Sequence, residues 1–126
     1  MVLNRSSRGF TLIELVIVIV ILGILAAVAI PKYEDMQEQA RSATLKGQLG
    51  SIRSAVAIQY GRNAMNGSAT FPVLNGTIFA DGQIPKEPIM FSNAVKTTAG
   101  VDNSGGWVYS QTTGMVKANL SAYSTY

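Results

Sequence analysis

Any chemistry in this 126-residue chain has to be done without histidine and without cysteine. That removes the usual base of a nucleophilic triad, the commonest metal ligand, every thiolate site and any disulfide. Acid–base work is left to seven Asp and Glu and ten Lys and Arg. No paired acid–base site is legible among them, so the sequence does not read as an enzyme and calls for no cofactor. One acid stands apart. Glu14 lies inside "FTLIELVIVIVILGILAAVAI", residues 10–30, where only Thr11, Glu14 and Gly23 interrupt large apolar residues and alanine. A carboxylate in a membrane span costs about 2.5–3.5 kcal/mol at the centre and less near a helix end. Two roles are open to it: a glutamate that snorkels to the headgroups, or a functional acid that needs a cation.

The other oxygen-rich places are Asp81 and the stretch Asp102-Asn103-Ser104-Gly105. Their oxygens are of the kind calcium takes, but the full ligand count is missing, so turn chemistry is the preferred reading and no metal is expected. The formal charge is +3, with Arg5 and Arg8 placed ahead of the apolar run. The remaining charges are scattered. They form no basic stripe, so nucleic acid is not an expected partner.

The element that must position Glu14 is the apolar run itself. Its 21 residues make a helix of roughly 31 Å, about one hydrocarbon thickness. A buried core helix is one reading, but roughly 95 residues of remaining chain cannot wrap a helix that is apolar all round. A secretory signal peptide is the second, with Arg5 and Arg8 as its basic region and Ala27-Val28-Ala29 as a small-x-small cleavage pattern. The run is longer than a signal needs, and Glu14 falls inside it. The third and preferred reading is a retained span whose two arginines stay on the cytoplasmic side, which puts residue 32 onward outside the cytoplasm.

"RGFTLIEL", the apolar run and "AAVAIPKY" closely resemble the N-terminus of type IV pilins and of the pseudopilins of type II secretion. The resemblance covers residues 8 to about 62 and is loose beyond them. It is carried by Gly9 before Phe10, Glu14 at the fifth position counted from Phe10, and Pro31 closing the run, on a helix read as uncapped. It implies that residues 1–9 are a leader, cut after Gly9 by an inner-membrane prepilin peptidase that also methylates Phe10. It also implies a precursor held in inner-membrane lipid. An assembly platform of a pilus or of a secretion system then builds it into a helical homo-oligomeric filament, extracellular for a pilus or periplasmic for a pseudopilus.

Processing of that kind gives Glu14 a partner. Phe10 and Glu14 are four residues apart, on one helix face. The new Phe10 ammonium can meet Glu14 within one chain, or across two parallel helices shifted by a short step. A pair of this sort favours one axial offset, as one polar residue does in a coiled-coil seam. Gly23 and Ala27 form a small-x-x-x-small pair that suits close helix packing, although both residues are common in spans. Pro31 lacks an N–H and clashes with the carbonyl of Ala27, which predicts a kink or loosening over residues 24–31; in filaments of the family the matching stretch can unwind.

From residue 32 to 62 the sequence predicts an amphipathic continuation of the helix. Leu45, Leu49, Ile52 and Val56 follow the i, i+4, i+7, i+11 pattern, and Met36 and Ala40 extend the stripe. Glu34, Asp35, Glu38, Arg41, Lys46 and Arg53 take the other face, with Glu38 and Arg41 as an i, i+3 pair. Residues 61–67 read as helix end and loop. "GTIFADG" (76–82) reads as a short strand or irregular turn, and "IPKEPIMF" (84–91) as extended chain without regular pairing. "GWVYSQ" and "GMVKANL" alternate around Thr-Thr-Gly, predicting a hairpin near 106–111 and 115–120, with 92–98 as a third strand. Trp107 and Tyr109 read as packing residues. The fold class is therefore α+β: a long N-terminal helix, half membrane and half amphipathic, on a small antiparallel sheet spanning residues 63–126 with its loops. This matches the lollipop of the resembled family. The leading function is a structural subunit of a type IV pilus. A type II secretion pseudopilin is the alternative, and a secreted binding domain cleaved after Ala29 comes third.

Overall fold

A computed structural model describes residues 9–98 and 100–126. The expected leader up to Arg8, with Arg5, lies outside the described residues. In chain order the elements are helix α1 (Leu12–Met65), a 3₁₀ turn at Gly76–Ile78, strands β1 (Val95–Lys96), β2 (Trp107–Ser110) and β3 (Met115–Ala118), and a second 3₁₀ turn at Ser121–Tyr123. The chain divides into two compact units, one ending at Glu38 and the other running Gln39–Tyr126.

In the first unit, every described residue is exposed, and its large apolar side chains include Phe10, Leu12, Ile13, Leu15 and the aliphatic residues through Ile30. This is the one helix among the described residues long and apolar enough to cross a membrane. Beyond its first turn a helix satisfies its backbone within the segment, so such a stretch can leave water without orphaned N–H groups there. The helix runs through Pro31 without a break. The predicted loosening over 24–31 does not interrupt it: proline removes a single i→i−4 bond, that to the Ala27 carbonyl, and the turns on either side hold.

The second unit contains the core. Leu45, Leu49, Ile52 and Val56 of α1 are each at most 2% exposed and cluster with Leu74, Trp107, Tyr109, Val116 and Ala118. Met36 and Ala40 are exposed, so the buried stripe starts at Leu45 instead of extending upstream. The cluster facing the helix is small and is filled by little more than three turns of α1, Leu45 to Val56. The helix ends at Met65, past the expected residue 62, and Gly61 is carried inside it at a cost of about 1 kcal/mol relative to Ala. Among the described residues the ion pair within 4.0 Å is Lys96–Asp102, so the expected Glu38–Arg41 pair does not form. Arg53 instead donates to the carbonyls of Val116 and Tyr126, at 3.1 and 2.6 Å.

The hairpin falls where alternation placed it. β2 and β3 pair antiparallel, with Trp107 opposite Ala118 and Tyr109 opposite Val116, and these four side chains face the core together. The third strand is a correction. Only Val95 and Lys96 pair, and they run parallel to Trp107 and Val108, so the sheet is mixed rather than antiparallel. The approach is enforced locally. Trp107 N donates to Ala94 O at 2.8 Å, and a Cβ on Gly106, whose φ is 78°, would lie 2.3 Å from that oxygen. Only glycine allows this contact.

Long-range hydrogen bonds to the loops fix the rest. Trp107 Nε1 donates to Pro85 O at 2.7 Å, and Tyr109 Oη donates to Pro72 O at 2.6 Å. Glu87 is fully buried, and its carboxylate accepts from the backbone N–H groups of Ile89, at 3.0 Å, and Met90. The segment predicted as extended therefore stays irregular up to Glu87 and then turns over residues 88–90. The "GTIFADG" segment takes the turn rather than the strand.

Candidate functional site

Helix α1 begins on Thr11. Its hydroxyl accepts from Glu14 N at 3.2 Å and donates to Glu14 Oε2 at 2.9 Å, and Thr11 N donates to the same Oε2 at 2.8 Å. Leu15 N closes the first turn on Thr11 O at 3.3 Å. This is a reciprocal capping box, in which a threonine and the glutamate three residues on satisfy each other's orphan groups. It overturns the expectation of an uncapped helix. Thr11-Leu12-Ile13-Glu14 carries the T-x-x-E spacing in full view, but it is masked by reading Thr11 only as an interruption of the apolar run. Among the described residues Oε2 takes both of Thr11's donors and Oε1 takes none.

Gly9 and Phe10 lie before the first helical residue. Phe10 is 90% exposed, and among the described residues beyond its chain neighbours no atom lies within 4 Å of the place a Cβ on Gly9 would occupy. The bond between them is therefore non-helical backbone. Phe10 is adjacent to Thr11, so the structure brings Gly9, Phe10 and the Glu14 carboxylate to one end of the helix. Gly23 and Ala27 are exposed further along, and a Cβ on Gly23 meets nothing within 4 Å. At 100° per residue they and Pro31 share one ridge, and Gly23 lies about 180° around the helix from Glu14. The acid and the small-residue ridge thus face different sides.

The oxygen-rich turn is built differently from a cation site. Asp102 Oδ1 accepts from Ser104 N, Ser104 Oγ and Asn119 Nδ2 at 3.1, 2.7 and 2.7 Å, while Lys96 Nζ sits 2.6 Å from Oδ2. The Lys96 ammonium first, then the Ser104 and Asn119 donors, hold this carboxyl well below the usual carboxylate range. Asn119 is buried and also donates to Ser104 Oγ and Gly105 O, which folds residues 102–106 back on β3. Asp81 accepts from Gln83 N at 3.1 Å in a tight turn. Asn119 and Glu87 were missed by sequence reasoning. Glu87, flanked by two prolines, gave the one available signal, a carboxylate where chain direction must change.

With this geometry in hand, the comparisons bear on the helix end. The model of the prokaryotic N-terminal methylation motif matches residues 4–30. The chain is 52% identical over 52 residues to the type IV narrow pilus major component PilA5 of Thermus thermophilus, covering 41% of this chain and 45% of that protein. It is 46% identical over 52 residues to the type IV major alpha-pilin of Moraxella bovis, covering 41% and 33%. Over its N-terminal segment the chain is similar to type IV pilins and pseudopilins. It is also 44% identical over 53 residues to the type II secretion system core protein G of Pseudomonas aeruginosa, covering 42% and 37%. The chain spans less than half the length of these pilin and pseudopilin relatives. No solved structure gave a match.

Proposed function

We propose that this pilin-family chain is a structural subunit of a type IV pilus filament and not an enzyme. The observation that carries the reading is the apolar stretch of the first unit's helix, which lies within the match to the methylation motif and has no side chain buried among the described residues. Such a surface is stable only against lipid or against other helices of its kind. In the precursor, inner-membrane lipid covers residues 10–31. After a prepilin peptidase cuts between Gly9 and Phe10 and methylates Phe10, copies of the same helix replace the lipid when the assembly platform adds subunits. The finished filament is then extracellular.

Exchanging lipid for apolar helix gains little by itself, so register must come from specific contacts. Glu14 supplies one. Its capping box aims the carboxylate at the helix start with one oxygen occupied and, among the described residues, one free. The free oxygen accepts the Phe10 ammonium of an axially shifted neighbour, and an unpaired acid in that low-dielectric setting is penalised. Gly23 and Ala27, on the other side, let a different neighbour approach closely, and the bond missing at Pro31 gives the helix its yielding point.

A second reading, a periplasmic pseudopilin of type II secretion, is favoured by the similarity to core protein G. Electron microscopy of native cells for long surface fibres separates the two. The filament reading itself is tested by the mass and N-terminal chemistry of the mature chain. It expects methylated Phe10; a chain that starts at Ile30, released after Ala29 as a secreted domain, contradicts it.

A further inference from the structure

Three Asn-x-Ser/Thr tripeptides fall among the described residues: Asn66-Gly67-Ser68, Asn75-Gly76-Thr77 and Asn119-Leu120-Ser121. Such tripeptides accept N-linked sugars when the amide lies on an accessible loop. Their surroundings differ sharply. Asn119 is 1% exposed, and its amide nitrogen is spent on Asp102, Ser104 and Gly105. Asn66 is exposed, but its side chain does not engage Ser68, whose hydroxyl pairs with that of Thr70 at 3.3 Å. At the exposed Asn75, Oδ1 accepts both the backbone N–H of Thr77, at 3.1 Å, and its hydroxyl, at 2.5 Å. Among the described residues its Nδ2 has no partner.

We propose that Asn75 is an N-glycosylation site, taking its sugar from a polyprenyl-diphosphate-linked donor by way of a glycosyltransferase outside the cytoplasm. This rests on the proposed reading that the chain from residue 32 onward is exported. In the transfer, Nδ2 attacks the anomeric carbon and a C–N bond forms. The bond from that carbon to the diphosphate oxygen breaks, the diphosphate leaves with the electron pair, and one Nδ2 proton passes to a base of the transferase. A carboxamide nitrogen is a poor nucleophile because its lone pair is delocalised onto oxygen. As the proton leaves, charge grows on Oδ1, and the two donors of Thr77 already point at that atom, so stabilisation is in place before reaction. Capping the 3₁₀ turn needs only the N–H bond; the hydroxyl bond goes beyond it. The middle residue fits this loop only as glycine, since a Cβ on Gly76 would lie 2.1 Å from Gly82 O.

The test is peptide mapping by mass spectrometry of the full-length protein isolated from the cells that make it natively, with fragmentation that retains the sugar. Wild type and Thr77→Ser should carry a sugar at Asn75, and Thr77→Val should reduce its occupancy at least tenfold. Thr77 is exposed, so these variants fold. A bare Asn75 in the wild-type protein, sugar at Asn66 in its place, or equal occupancy in Thr77→Val overturns the inference. The same spectra read the N-terminus. Methyl-Phe10 with a bare Asn75 sinks the glycan alone, and a chain beginning at Ile30 sinks the filament reading whatever Asn75 carries.

Discussion

Glu14 receives both hydrogen-bond donors of Thr11 on one carboxylate oxygen, the backbone nitrogen at 2.8 Å and the hydroxyl at 2.9 Å. The acid is therefore not idle in the isolated subunit, since it caps the start of the helix before any neighbour arrives. Replacing Thr11 by Val removes the hydroxyl's two contacts and should weaken the first turn by about 1 kcal/mol, while Thr11→Ser should keep it. Amide exchange of the full chain in detergent micelles checks this. Protection of the amide of Glu14, which donates to the Thr11 hydroxyl at 3.2 Å, should fall in Thr11→Val and be unchanged in Thr11→Ser.

The starting point of the buried stripe gives a second expectation. Leu49 and Ile52 are 1% and 0% exposed, whereas Met36 is 67% exposed. Leu49→Ala or Ile52→Ala should cost about 2–5 kcal/mol, through lost transfer energy and the cavity left behind. Met36→Ala should fall within about 0.5 kcal/mol of wild type. Urea unfolding of the detergent-solubilised chain, followed by Trp107 fluorescence, measures all three. A loss at Met36 equal to that at Leu49 would show that the stripe reaches further than Leu45.

Two groups outside the apolar helix give stability a pH dependence. The folded Asp102 carboxyl lies below its ordinary value, chiefly because of Lys96. Its contribution is complete above the unfolded value of about 4 and is lost as pH falls through the lower folded value. Burial pushes the Tyr109 phenol up, so its contribution is complete below about 10 and is lost as pH rises through the higher folded value. Thermal midpoints followed from pH 2 to 11 should hold level between these limits. Asp102→Asn should lower the plateau and flatten the acid limb, and Tyr109→Phe should flatten the alkaline limb while leaving Pro72 O without its donor.

Much of the fold was legible because short-range patterns and tertiary burial agree. Alternation in "GWVYSQ" and "GMVKANL" placed the hairpin, since Trp107, Tyr109, Val116 and Ala118 are the residues that go inside. The helical spacing of Leu45, Leu49, Ile52 and Val56 gave the face that meets them. What was not legible depends on partners far away in sequence. β1 has two residues, and its parallel direction is set by Gly106 touching Ala94 and by Asn119 gathering the 102–106 loop. No pattern inside 92–98 encodes that. Glu87 is buried because it serves two N–H groups of its own turn, a local fit that hydrophobic patterning cannot register. At the candidate site the acid, Gly9 and Phe10 were all marked in advance, but Thr11 was not. Its role appears only when the run is read as a helix that needs a beginning.

Cryo-electron microscopy of native fibres at side-chain resolution measures the distance between the Glu14 carboxylate of one subunit and the Phe10 amine of the next, and so tests the assembly role of Glu14 most directly. The account predicts an ion pair within about 4 Å, with Glu14→Val subunits still present in the membrane but fibre yield sharply reduced. Separation of the two groups well beyond that distance, within and between subunits, together with normal fibre numbers from Glu14→Val, would contradict it.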